Sequence, residues 1–338
     1  MKLLSAIGLS AVVPMLITSA TMAAVEPNIT VPESLQSSRS PMTLMLQGIE
    51  RLELQDYRAA LEIFEDAIAL QPDHAQAWAG KGDALYGLQR HAEAAMAYRQ
   101  ATDLDPSLVS AWVWLGNALD DSGRLREALD AYQQALTVNP NYAIAYYHRG
   151  IAFARAEQYA EAKKEFQQVT NLAPDMAQAW LRLGSSLTKL EQYTEALSAF
   201  DQAITLRSDD AEAWYGKGIA LLQLARHSEA TAAFDQTVSL DPTLARAWFF
   251  RGNSLSELKR YTEALASYEQ VTSLDPRAEN AWFNKAVMLT HLEQYIVAID
   301  AIEQVLTINP DNAQAQVMRD ELQTLATSQQ QSVADLDR

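Results

Sequence analysis

Cysteine is absent from all 338 residues. Disulfides, thiolate metal sites, cysteine nucleophiles and lipid attachment at an N-terminal cysteine are therefore excluded. Glycine and proline are sparse, at 12 and 11, which rules out a collagen-like or Pro/Gly low-complexity chain. Basic residues are also in short supply: 26 Lys and Arg face 43 Asp and Glu, a net charge of −17. Such a charge repels phosphate backbones, so no nucleic-acid partner is expected, and acidic solvated faces keep a long chain soluble. Catalytic signatures are missing too. The five histidines (His74, His91, His148, His227 and His291) form neither an HExxH nor an H-x3-H pair. There is no Gly-rich phosphate loop, no G-x-S-x-G and no calcium-loop spacing. No catalytic, cofactor or metal site is expected, and the chain is not expected to be an enzyme.

What is present suits a folded helical protein: 49% hydrophobic and 20% charged residues. Met1 and Lys2 open the chain, residues 3–17 are mostly apolar, and residues 18–24 are small and weakly polar. These are the three parts of a secretory signal peptide over 1–24, with cleavage after Ala23 or Ala24. The alternative is an uncleaved anchor helix, since the apolar span is near the lower limit for crossing a bilayer. The expected location is a periplasm or equivalent lumen outside the cytoplasm, with no stable membrane insertion once the signal is cut. Residues 25–40 are rich in Pro, Ser and polar types and read as a flexible linker.

From residue 41 one ruler of 34 residues fits the chain without insertion: 41–74, 75–108, 109–142, 143–176, 177–210, 211–244, 245–278 and 279–312. Position 4 holds Leu44, Trp78, Trp112, Tyr146, Trp180, Trp214, Trp248 and Trp282. Position 8 is glycine until Ala286, and position 20 is alanine throughout. Position 24 is Phe or Tyr until Ile302, and position 32 is proline except at Ser208. Positions 4, 7, 8 and 11 share one face of a helix, helix A; positions 20, 24 and 27 share a face of helix B. Small residues at 8 and 20 let the two helices cross closely, and the ring at 24 fills the space that remains. Proline at 32 stops helix B, and the Asx before it signals the next start. At the 5/6 junction this weakens to Ser208-Asp209, so a looser junction is expected there. His91 and His227 fall at position 17, where other copies mostly have Tyr, and read as structural replacements. Residues 313–327 read as a helix capping the last apolar face, and 328–338 as a disordered polar tail.

Trp78, Gly82, Ala94, Tyr98, Ala101 and Pro106, recurring as Trp112, Gly116, Ala128, Tyr132, Ala135 and Pro140, resemble the tetratricopeptide repeat (TPR) family. The resemblance covers nearly all of the chain after the linker. It implies an all-α fold: an α-solenoid of eight helix–turn–helix repeats forming a right-handed superhelix, with a C-terminal capping helix. It also implies a protein-interaction scaffold that binds a peptide or helix of a partner protein. In the family, helix A positions 2, 5, 6, 9, 12 and 13 face the concave groove. Those positions here put Val113, Trp114, Asn117, Tyr147, Leu181, Tyr215, Phe249, Asn253, Phe283 and Asn284 forward as contact residues. The aromatic row is either a partner contact or packing between neighbouring repeats. One family subset holds a terminal carboxylate with Lys at 5 and Asn at 9; here Asn117 and Asn253 pair with Val113 and Phe249, so that clamp is not expected. The partner should be a neutral or basic protein segment, and the chain a monomer. The alternative function is an accessory subunit presenting substrate to a separate glycosyltransferase or protease.

Overall fold

The computed structural model describes residues 40–336; the signal and all but the last linker residue lie outside them. The described residues fall into two compact units, one ending at Glu157 and one starting at Gln158. The first contains α1 Pro41–Glu53, α2 Tyr57–Leu70, α3 Ala75–Gly87, α4 His91–Leu104, α5 Val109–Asp121, α6 Leu125–Val138 and α7 Ala143–Arg155. The second contains α8 Tyr159–Leu172, α9 Ala177–Lys189, α10 Tyr193–Leu206, α11 Ala211–Gln223, α12 His227–Leu240, α13 Ala245–Glu257, α14 Tyr261–Leu274, α15 Glu279–His291, α16 Tyr295–Ile308 and α17 Ala313–Leu336. Among the described residues there is no strand, and no helix is long and apolar enough to cross a membrane. Helix A of every repeat occupies positions 1–13 and helix B positions 17–30.

One turn from helix A to helix B recurs along the chain. In seven copies the amide of position 16 returns to the carbonyl of position 11, as in Arg90 to Leu85 and Arg226 to Leu221, both at 2.9 Å. This Schellman closure requires a left-handed residue at position 15. Glycine fills it once, at Gly123 (φ 78°); elsewhere Gln55, Gln89, Glu157, Glu191, Ala225, Lys259 and Glu293 carry the strain. Ala225 (φ 55°) has no polar side chain to offset it. Ala225→Gly should therefore raise stability by about 0.5–1 kcal/mol. A urea midpoint unchanged or lowered would contradict that reading of the turn.

The periodic residues are consumed by packing. In repeats 1–3 and 5–7 the ring at position 24 lies against the glycine at position 8: a Cβ on Gly48, Gly82 or Gly218 would sit 2.6 Å from Phe64, Tyr98 or Phe234. In repeat 8 the ring is replaced by Ile302 and the glycine by Ala286, both fully buried, so the two substitutions match each other. The indole of position 4 donates to the carbonyl of position 32 just before it. Trp78, Trp112, Trp180, Trp214, Trp248 and Trp282 do so at 2.8–3.0 Å, and the Tyr146 hydroxyl reaches Pro140 at 3.2 Å. Gln316 of α17 takes the same place, its amide donating to Pro310 at 2.8 Å. The same ring carries the cation of position 7, which also pairs with the acid at position 25 of the preceding repeat. Lys81–Glu65, Lys217–Asp201, Arg251–Asp235 and Lys285–Glu269 are 2.8, 2.7, 2.6 and 3.3 Å long.

Two expectations need correction. The 5/6 junction keeps the common geometry: Asp210 moves the cap to position 34, accepting from the amides of Glu212 (3.0 Å) and Ala213 (3.3 Å). That replaces the turn that Asp105, Asn139, Asp241 and Asp275 close by accepting the amide two residues on. At the C-terminus, α17 does not stop near 327 but runs to Leu336. No Gly or Pro interrupts 328–336, and the Gln329 amide donates to the Glu293 carbonyl at 3.3 Å. Ala315, Leu322 and Ala326 are buried, so the helix does cover the apolar face of repeat 8.

Candidate partner-binding faces

In the first unit Val113 and Asn117 are buried, and Trp114 and Tyr147 are half-buried. The Asn117 Oδ1 accepts the Tyr132 hydroxyl at 2.8 Å. Trp114 stands between two rings, with centroids 5.5 Å from Tyr86 and 6.2 Å from His148, and Tyr147 meets His148 edge-on at 5.6 Å. Burial pushes His148 down to about 4, so this imidazole is neutral at neutral pH.

Beside this ladder lies a polar group that sequence reasoning missed. The Tyr86 hydroxyl donates to Asp121 Oδ2 at 2.5 Å. Arg155 Nη1 donates to Asp120 at 2.7 Å and to Asp121 at 2.9 Å. Two carboxylates thus share one guanidinium. Burial raises the Asp120 carboxyl, while Arg155 opposes the shift. On α3, Asp83 accepts the Tyr98 hydroxyl at 2.6 Å. Burial raises its carboxyl to about 7, the Tyr98 bond opposing. The signal for this group is a register one: Asp120, Asp121 and Arg155 occupy positions 12, 13 and 13 of consecutive repeats.

In the second unit Leu181 is buried, and Tyr215, Phe249, Asn253, Phe283 and Asn284 are half-buried. The position 5 ring rests on the position 24 ring of its own repeat, Tyr215 on Phe234 at 6.0 Å and Phe249 on Tyr268 at 5.9 Å. Phe250, at position 6, stacks on Phe234 of the preceding repeat at 6.1 Å. Arg246 lies over the Tyr215 ring at 4.5 Å. Arg182 and Glu212 pair at 3.4 Å. The Asn253 carbonyl oxygen accepts the Tyr268 hydroxyl at 2.8 Å and the Asn284 amide at 3.4 Å.

Asn117 and Asn253 are thereby explained without a partner. Position 9 is Asp or Asn wherever position 24 is Tyr: Asp83 with Tyr98, Asn117 with Tyr132, Asn253 with Tyr268. Where position 24 is Phe or Ile, position 9 is Ile49, Ile151, Ser185, Ile219 or Val287. A buried phenol needs an acceptor, and position 9 supplies it. The aromatic row likewise serves packing, yet Tyr147, Tyr215, Phe249 and Phe283 stay half-buried rather than buried. Among the described residues no three His, Asp or Glu side chains gather as a metal site.

Helix pairs repeating in one register define a helical repeat protein. A tetratricopeptide-repeat family profile matches residues 45–109, 149–206, 181–245 and 251–313, and a second TPR profile matches 116–157. The chain belongs to the tetratricopeptide repeat family. No curated protein sequence matches it. Among solved structures it is similar to YrrB, described as a TPR protein with an unusual peptide-binding site. That likeness is 25% identical, covers 59% of this chain and 99% of YrrB, and has a TM-score of 0.50. The C-terminal part of a TPR protein from Cytophaga hutchinsonii is 15% identical over 70% of this chain and 97% of that one, with TM-score 0.61. Pseudomonas aeruginosa pilF is 18% identical over 65% and 98%, with TM-score 0.52. These last two speak for the fold alone.

Proposed function

We propose that this chain is a non-catalytic adaptor that holds a peptide or helical segment of another protein against its helix A faces. The observation that carries the reading is the division of labour along the ruler. Positions 4, 8, 20, 24 and 32 recur because packing uses them, whereas positions 2, 6, 12 and 13 differ from copy to copy and in most copies reach solvent, and the rings at position 5 stay half-buried. Half-buried rings beside fixed charges are the composition of interface anchors. The likeness to YrrB, whose description names a peptide-binding site, supports the same reading.

The test is site-specific photo-cross-linking in the native host. A photoreactive residue at Asp121 or at Arg246, both exposed on helix A, should yield a discrete protein adduct. The same residue at Met96, 71% exposed on helix B, should not. Adducts from Met96 alone would contradict the proposal.

Export belongs to the same proposal, motivated by the signal-like start and the absence of cysteine. Intact-mass measurement of the protein from its host should give a chain beginning at Ala24 or Val25. A full-length cytoplasmic species would reject it.

A further inference from the structure

The helix A faces of the two units carry opposite charge. In repeats 1–4 the six partner-facing positions hold Glu53, Asp120 and Asp121 against Arg155 alone, the remaining acid, Asp83, being tied to the Tyr98 hydroxyl. In repeats 5–8 they hold Arg182, Lys189 and Arg246 against Glu212 and Glu257. The acid pair of the first unit is under-compensated by construction: Arg155 spans both carboxylates, and Tyr86 fixes the second by its hydroxyl. The ring of Trp114 stands beside Tyr86, so a cation placed here would meet carboxylate and aromatic groups together.

The same face has an apolar end. Position 6 of a repeat normally meets the position 24 ring of the repeat before it, as Gly80 meets Phe64. Leu46 is the position 6 residue of the first repeat and has no preceding helix B among the described residues. It is 62% exposed, and Met42, one turn earlier, is 68% exposed. Exposed apolar side chains continuous with an acidic, aromatic face mark a docking surface for a segment carrying both features.

We infer that the helix A face of the first unit, on α1, α3, α5 and α7, docks a basic segment of another protein. Its apolar residue would rest on Met42 and Leu46, and its Lys or Arg would meet Asp120 and Asp121. Charge decides for a foreign partner. A second copy brings another −17, and even its second-unit face nets only one positive charge, while the chain's own residues 25–40 carry Glu26 and Glu33 against Arg39 alone. Neighbouring helices in contact lie roughly 8–10 Å apart. From α1 past α3 to α5 is two such steps, about 20 Å across, and position 6 to position 13 adds about 10 Å along the helix axis, so the direct span is roughly 22 Å, or about seven residues of extended chain at roughly 3.3 Å each. The recognised feature is therefore an apolar residue and a basic residue about seven positions apart in an extended segment. The inference rests on the adaptor reading and narrows it to one unit and one partner chemistry.

Selection from a random 16-residue peptide library displayed on phage, with the folded chain as bait, tests it. Enriched peptides should carry Lys or Arg at that distance from a large apolar residue. A synthesised representative should bind at least tenfold more weakly to Asp121→Asn and to the Met42→Gln/Leu46→Gln pair. It should bind within twofold to Asp130→Asn, an exposed helix B control. These are surface replacements, and circular dichroism should show each variant folded. Enrichment of acidic or neutral peptides, unchanged affinity for Asp121→Asn, or no enrichment at all would overturn the inference. Peptides held instead through the second unit, lost on Arg246→Glu, would overturn it while leaving the adaptor reading standing. A shift to dimer in sedimentation would assign the face to a second copy and overturn it as well.

Discussion

Gly218→Ala should destabilise the second unit by about 2 kcal/mol, within the usual range for overpacking a filled core. The direction is what matters. Gly218 sits inside α11, where helix propensity alone would favour alanine by roughly 1 kcal/mol. Its new Cβ, however, would lie 2.6 Å from Phe234 Cε1, and that ring is fully buried and cannot swing away. If the ring is the cause, shrinking it must remove the penalty. In a Phe234→Ile background, which reproduces the Ala286/Ile302 pairing of repeat 8, the same Gly218→Ala change should cost less than about 0.5 kcal/mol or become stabilising. Urea unfolding of the four proteins gives the coupling directly. A Gly218→Ala variant more stable than the parent would mean that helix propensity, not the ring, governs position 8.

Asp83→Asn should stabilise the first unit at pH 8 by roughly 1–3 kcal/mol and leave it nearly unchanged at pH 4. Burial lifts the Asp83 carboxyl from its ordinary 3.8 to about 7 in the folded chain. A raised carboxyl binds its proton more tightly when folded. Its stabilising contribution is complete below pH 4, declines as the unfolded chain ionises, and is lost as pH passes 7. Asparagine carries no such linkage and keeps an acceptor for the Tyr98 hydroxyl. The protein already uses that pairing in Asn117–Tyr132 and Asn253–Tyr268, both 2.8 Å. Urea midpoints of parent and variant at pH 4, 6 and 8 should diverge with rising pH. Parallel curves would show that Asp83 ionises freely in the fold.

The repeat register, the helix pairing and the small-residue crossings were legible from the sequence because each depends on residue types that recur every 34 positions. The left-handed turn at position 15 was not. Only Gly123 marks it by composition, and the other copies meet the same requirement with Gln, Glu, Ala and Lys because the Schellman hydrogen bonds enforce it. The asparagines at position 9 look like partner contacts in the sequence because a polar residue on a variable face invites that reading. Comparing position 9 with position 24 copy by copy would have found their tyrosines. The pairs joining position 25 to position 7 of the next repeat were visible in the same way: acid precedes cation at Glu65–Lys81 and Asp201–Lys217, while Leu115 and Leu183 follow Arg99 and Gln167. The Asp120, Asp121 and Arg155 group was hidden because no single repeat contains it.

Packing uses one side of each helix A, and the proposed adaptor role assigns the other side to a partner. Hydroxyl-radical footprinting of the chain, free and with its cross-linked partner recovered from the host, measures this residue by residue. Half-buried helix A rings in at least one unit, Trp114 and Tyr147 or Phe249 and Phe283, should lose oxidation, with Met96 on helix B unchanged. Protection confined to Met96 and other helix B residues, with those rings oxidised as in the free chain, would contradict it.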